Sequence, residues 1–153
     1  MVISMPTQPL STTLPGTWEL LSRVDVTASG ERIAEPSLGS DPIALVVFDR
    51  GGHFAAQFMK RDRSVRSPES APELAGTNNT RAQGGYDAYF GTYSVNDQDG
   101  TVTTTLLAAL SPENVGQQYI RGMAVDGDTL TITVKTTSQG QSITRTLTWK
   151  RVD

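Results

Sequence analysis

The chain has 153 residues, enough for one domain that buries a core without covalent or metal staples. It contains no cysteine and a single histidine, His53, which excludes thiol catalysis, cysteine-based zinc sites, disulfide scaffolds and any multi-histidine metal centre. A net charge of −3 gives no support to nucleic acid as a partner.

Residues 1–15 lack a basic start and a continuous apolar core, so they read as a flexible N-terminal segment rather than a signal peptide. No apolar run approaches the roughly 20 residues that span a bilayer. A cytoplasmic protein with no membrane partner is the expectation. Pro15-Gly16 then precedes TWELLSRVDVT, whose alternation predicts a strand with Trp18, Leu20, Val24 and Val26 facing inward. After a loop with Pro36 and Gly39, PIALVVF predicts a second strand, and the turn at 49–52 leads into a hairpin partner, HFAAQFMK. Residues 61–85 break the pattern; a loop this long in a compact domain is uncommon and suggests a lid or a short helix. Strands resume with YDAYFGTYSV, TVTTTLLAAL, QQYIRGMAV, TLTITVK and SITRTLTWKR, joined by short turns. Threonine is abundant, 20 in all with 12 of them after residue 100. This stiff, β-branched residue suits a half-exposed sheet surface. Eight consecutive strands predict an all-β, antiparallel up-and-down barrel over residues 16–153, closed so that no edge is left exposed.

Gly16-Thr17-Trp18 at the head of the first strand resembles the glycine-x-tryptophan signature of lipocalins. More specifically, the chain resembles the bacterial and fungal lipocalin-like domain proteins. The likeness is carried by Gly16-Thr17-Trp18-Glu19-Leu20, the turn at 49–52, and Gln57-Phe58-Met59 running into Arg61 and Arg63. Further matches are Ala88-Tyr89-Phe90-Gly91-Thr92-Tyr93, the loop at 112–116 and Asp126-Gly127-Asp128-Thr129-Leu130. The resemblance implies a barrel with a cavity, one end closed by Trp18 under an arginine of the last strand, Arg151. It also implies a histidine early in the strand from Thr101 and a tryptophan in the 112–116 loop; this sequence has neither.

Period-2 alternation assigns the remaining faces. In YDAYFGTYSV the inward row is Asp87, Tyr89, Gly91, Tyr93 and Val95. In QQYIRGMAV it is Tyr119, Arg121, Met123 and Val125, and in SITRTLTWKR it is Ile143, Arg145, Leu147 and Trp149. Inward arginines are the anomaly, because an unpaired buried charge is costly. Either Arg121 and Arg145 receive an anionic head group through paired hydrogen bonds, or one covers Trp18 and the other pairs with Asp87 or an interior glutamate. Tyr89, Tyr93, Tyr119, Phe54, Phe58 and Met123 would supply the apolar walls. Phe54, Ala56 and Phe58 form the more apolar row of their strand, but the family resemblance, which includes Gln57 and Met59, places Gln57 at the cavity as well. His53, beside a Gly-Gly turn, reads as a surface residue. No G-x-S-x-G elbow, metal-ligand cluster or cofactor motif is present.

The expected function is binding of a small, largely apolar or amphipathic molecule with a polar or anionic head, by a monomer or homodimer. The alternative is an isomerase or cyclase in which Asp87 with Tyr89 or Tyr93 supplies acid–base groups in the same cavity. A third possibility is a fully packed barrel with no ligand.

Overall fold

The computed structural model describes residues 8–34, 36–63, 78–138 and 140–153. All eight strands expected from the alternation are present: β1 (Gly16–Thr27), β3 (Ile43–Phe48), β4 (His53–Met59), β5 (Tyr86–Asn96), β6 (Thr101–Ala109), β7 (Gln118–Asp126), β8 (Thr129–Ser138) and β9 (Gln141–Arg151). They form an antiparallel meander that β1–β9 pairing closes into a barrel, and a two-residue strand, β2 (Arg32–Ile33), is added to β1. Among the described residues no helix is long and apolar enough to cross a membrane.

Residues 10–15 are not the loose tail expected from their composition. Leu10–Thr13 form one helical turn, α1, and Leu14 behind it is completely buried. Trp18 Nε1 donates to the Leu14 carbonyl at 3.0 Å, and the Arg151 guanidinium lies 4.2 Å from the Trp18 ring centroid. Arg151 also donates to the carbonyls of Pro15 and Thr13. A Cβ at residue 16 would come within 2.5 Å of Arg151 Nη1, so glycine is what lets the arginine close over the tryptophan. Trp18 and Arg151 thus seal one end of the barrel, as the resemblance implied. Ser11 binds the turn after β5 through Asp97, its backbone N at 2.8 Å and its hydroxyl at 2.6 Å.

The last strands carry threonine outside and apolar residues inside. Thr131 pairs with Thr148 and Thr133 with Thr146, while Ile132 and Leu147 between them are buried. In β1 the expected facing fails halfway. A bulge between Leu20 and Ser22 inserts one residue into the β1–β9 ladder, and the extra residue reverses the alternation beyond it. Arg23 and Asp25 therefore turn inward and are buried, whereas Val24 and Val26 lie opposite Thr146 and Thr144 on the outer, half-buried face.

Most of the predicted lid or helix at 61–85 lies outside the described residues. The end of that segment is well defined. Asn78, in the left-handed region at φ 55°, donates from Nδ2 to the carbonyls of Ile120 and Lys135, both at 3.2 Å. Paired β7–β8 residues start only at Gly122 and Thr133. The Asn78 amide thus stands in for the missing rungs and holds the following residues across the open end of the barrel.

Candidate functional site

Between the sealed end and the 78–82 crossing lies a cavity of about 100 Å³. The strands supply most of its wall: Phe48 from β3, Phe54 and Phe58 from β4, Asp87 and Tyr89 from β5, Tyr119, Arg121 and Met123 from β7, and Arg145, Leu147 and Trp149 from β9. Leu38, Asn79, Thr80 and Ala82 come from loops at the mouth, and Arg23 from the bulged half of β1. A cavity of about 150 Å³ admits benzene, and pockets for drug-sized ligands start at about 300 Å³. The space is smaller than either, but it is only partly enclosed, so a one-ring molecule fits by extending from it toward the opening.

Eight of the expected site residues meet here: Asp87, Tyr89, Tyr119, Arg121, Arg145, Phe54, Phe58 and Met123. Two do not. Gln57 lies on the outer face because alternation buries Phe54, Ala56 and Phe58, and its side chain accepts a hydrogen bond from the Tyr86 hydroxyl. Tyr93 is on an inward row but sits near the sealed end. Its ring packs edge-on against Phe48, 5.1 Å between centroids, and its hydroxyl donates to the Asp49 carbonyl at 2.6 Å. Burial, reinforced by Asp49, raises its pKa. Neither residue is part of the cavity wall. His53 is exposed, with Nδ1 3.7 Å from an Asp49 carboxylate oxygen.

The two inward arginines differ in their surroundings. Arg145, 5 % exposed, makes a two-point contact with Asp25: Nε to Oδ1 at 2.8 Å and Nη2 to Oδ2 at 3.0 Å. Its Nη1 donates to Asn79 Oδ1 at 3.2 Å, so the fork is filled by protein. The partner is neither Asp87 nor a glutamate but an aspartate that the β1 bulge brings inside. Arg121 has no such acid. Its guanidinium stacks 5.1 Å from the Tyr119 centroid and makes one long bond, 3.4 Å, to the Ile120 carbonyl. Among the described residues no carboxylate lies within 4.0 Å of it. Burial pulls its pKa down to about 10, with Arg145 adding to the effect, so it is still a full cation at neutral pH.

The β5 side of the cavity and the Tyr119 end of β7 are polar and ordered. Thr80 donates to the buried Asp87 carboxylate at 2.5 Å. Tyr89 stands beside them, its pKa raised by burial and then by Asp87, which makes it a hydrogen-bond donor rather than a base. Asn114 Nδ2 donates to the Tyr119 hydroxyl at 3.0 Å, while burial raises the pKa of that phenol. Asn114 is itself held by the mouth crossing, accepting from the Arg81 backbone N at 2.9 Å. Three arginines and two aspartates (Arg23, Arg121, Arg145; Asp25, Asp87) are buried in or line this region. Among the described residues, the interior is therefore one charge positive inside a chain of net charge −3.

Sequence reasoning missed Arg23, Asp25, Asn79, Thr80, Ala82 and Asn114. Asn79, Thr80 and Ala82 lie on a loop and Asn114 ends a three-residue helical turn, Pro112–Asn114, where no periodicity points inward. Arg23 and Asp25 carried a signal, two charges alternating with Val24 and Val26 just after the Leu20-Leu21 pair, but nothing locates the bulge.

A small meander closed on itself, plugged at one end and hollow toward the other, is a barrel of the kind that encloses small ligands. Residues 15–152 match the lipocalin-like domain family, and the chain belongs to that family. No curated protein matches the sequence.

Proposed function

We propose that the barrel binds a compact anion of about one-ring size, its charged head on Arg121 and its apolar body among Phe54, Phe58, Met123 and Leu147. The carrying observation is a guanidinium in the cavity wall with no carboxylate within ion-pair reach among the described residues. Arg121 is half-buried; even a partly desolvated cation without an anion is costly, and the Tyr119 ring offsets this by only about 0.5–2 kcal/mol. A carboxylate or phenolate on the free edge of the fork would complete it. The contact is tested with a matched pair of probes, 4-ethylbenzoate and neutral 4-ethylbenzamide, titrated calorimetrically. The acid should bind at least tenfold more tightly, and Arg121→Met should erase the difference. Equal affinity for the two probes, or no binding of either, would refute the reading.

A second reading is supported by the Thr80–Asp87 bond beside Tyr89. Arg121, Tyr89, Thr80 and Asp87 all line the one cavity, so a carbonyl oxygen bound there would find donors in Arg121 and Tyr89 and a proton-exchanging carboxylate in Asp87. That arrangement suits an isomerisation or cyclisation in which charge develops on a carbonyl oxygen. It requires a substrate recovered altered after incubation, with Asp87→Asn binding but not converting it. A molecule returned unchanged supports the binding reading alone.

A further inference from the structure

The second unusual group in the cavity wall is Trp149. Its ring is 1 % exposed and borders the cavity, with Phe58 packed edge-to-face at 5.8 Å. Its Nε1–H is sealed from water and has no hydrogen-bond acceptor among the described residues. The other tryptophan shows what this fold does with an indole N–H that serves packing alone, since Trp18 Nε1 is matched to the Leu14 carbonyl at 3.0 Å. Buried donors are nearly always satisfied, and an orphan asks for an explanation.

Register fixes where this donor stands relative to Arg121. Met123, Ile132 and Leu147 form one row across β7, β8 and β9. Trp149 shares the row below with Leu130 and Val125, toward the sealed end. Arg121 lies two residues above Met123, toward the mouth, so the two backbones are about 13 Å apart along the strand direction. Between the two levels the wall is apolar: Met123, Ile132 and Leu147 on this side, Phe54 and Ala56 on the other.

From this we infer that Trp149 is a ligand-binding residue, and that the ligand carries two polar ends: an anion for Arg121 and an uncharged acceptor oxygen, a carbonyl or ether, for Trp149 Nε1–H. The inference rests on the anion reading above and narrows it. A simple fatty or aryl acid fills the head position and leaves the indole unmatched, whereas an oxo- or alkoxy-substituted acid satisfies both. The ligand lies along the barrel axis with its anion toward the mouth and its acceptor at the sealed end. An acceptor is specified because indole nitrogen can only donate, and a charge is excluded because the deep row offers no counter-ion.

The test uses 4-acetylbenzoate and 4-ethylbenzoate, which share the acid and nearly the same shape but differ in the distal carbonyl. The unaltered protein, with two tryptophans, gives two indole N–H resonances in a proton–nitrogen correlation spectrum. Adding 4-acetylbenzoate should move the Trp149 proton downfield as its bond forms, and 4-ethylbenzoate should not; the Trp18 resonance should stay in place with both. Trp149→Phe should weaken 4-acetylbenzoate about tenfold, equivalent to about 1.4 kcal/mol, and leave 4-ethylbenzoate within about twofold. If both acids bind through Arg121 but the Trp149 resonance responds to them alike, the inference falls and the anion reading stands. The inference falls in the same way if Trp149→Phe weakens both equally. If neither acid binds the unaltered protein, both fall. The resonance experiment needs no variant, so a poorly folding Trp149→Phe protein cannot shield the proposal.

Discussion

Arg121 and Arg145 face the same cavity from β7 and β9, with β8 between them, yet replacing each by methionine should have opposite consequences. Arg145→Met removes both contacts to Asp25, at 2.8 and 3.0 Å, and leaves a carboxylate only 4 % exposed without its cation. Breaking one side of a buried pair costs about 3–5 kcal/mol. In a chain of this length that lowers Tm by roughly 6–20 °C. Arg121→Met removes a partly desolvated charge with no acid within ion-pair reach among the described residues, puts a flexible apolar chain beside Met123, and should hold or raise stability, within about 1 kcal/mol. Its loss should appear in binding: a hydrogen-bonded contact to a charged group contributes about 1.5–3 kcal/mol, so 4-ethylbenzoate affinity should drop ten- to a hundredfold. Urea and thermal unfolding of the free proteins, with calorimetric titration alongside, separate the two effects. The double variant Asp25→Leu/Arg145→Met should recover most of the lost stability, because an apolar pair of similar volume replaces the ion pair. If Arg121→Met destabilises as much as Arg145→Met, or if Arg145→Met is neutral, the division into one structural and one ligand-directed arginine is wrong.

Other outcomes follow from separate parts of the barrel. Gly91 lies at the β5–β6 bulge, where a Cβ would sit 1.8 Å from the Thr105 carbonyl oxygen and 2.9 Å from the Leu107 nitrogen. Gly91→Ala should therefore cost roughly 3 kcal/mol of strain, seen as a lower urea midpoint with an unchanged slope. Asp97 holds α1 through Ser11, and these bonds lower its pKa from 3.8. A depressed carboxylate pKa stabilises above the unfolded value and loses that effect as pH falls through the folded one. Acid, or Asp97→Ala at neutral pH, should thus remove hydrogen-exchange protection from the Leu14 amide while β7–β9 stay protected; unchanged protection would count against the tether. Binding of 4-ethylbenzoate should be constant from about pH 7 to 9 and weaken above about 10, where Arg121 gives up its proton. A transition near neutrality would show that another group controls the head position.

The strands were readable because their apolar rows alternate cleanly. Ile143, Arg145, Leu147 and Trp149 face threonines in β9, and Tyr119, Arg121 and Met123 stand out from their neighbours in β7. What each inward arginine does was not readable. Arg145 and Asp25 lie 120 residues apart, and their meeting depends on a bulge at two adjacent leucines that look alike to any alternation count. Gln57 failed for the opposite reason: plain alternation placed it outside, and the family likeness drew it in. Tyr93 kept its predicted face, but a face does not report depth. It lies near the Trp18 plug, packed on Phe48 rather than in the cavity wall. The mouth, built by Asn78, Asn79, Thr80 and Ala82, has no period to read, because its order comes from side-chain amides and hydroxyls binding the ends of other strands.

The bulge in β1 gives the same residues two coherent ways to close the barrel. In one, Val24 and Val26 would face inward and Asp25 would be in water, the arrangement that hydrophobicity alone selects. In the other, the observed one, two valines meet threonines outside so that an aspartate can reach Arg145. A slip of one residue between β1 and β9 would strand the arginine without an acid. The Asp25–Arg145 pair is therefore the clasp that sets the register of the seam, and its effect is on which barrel forms more than on how firmly it holds. The repacked double variant should expose this: it can be as stable as the parent and still pair β1 with β9 in two registers, visible as doubled backbone resonances along the seam.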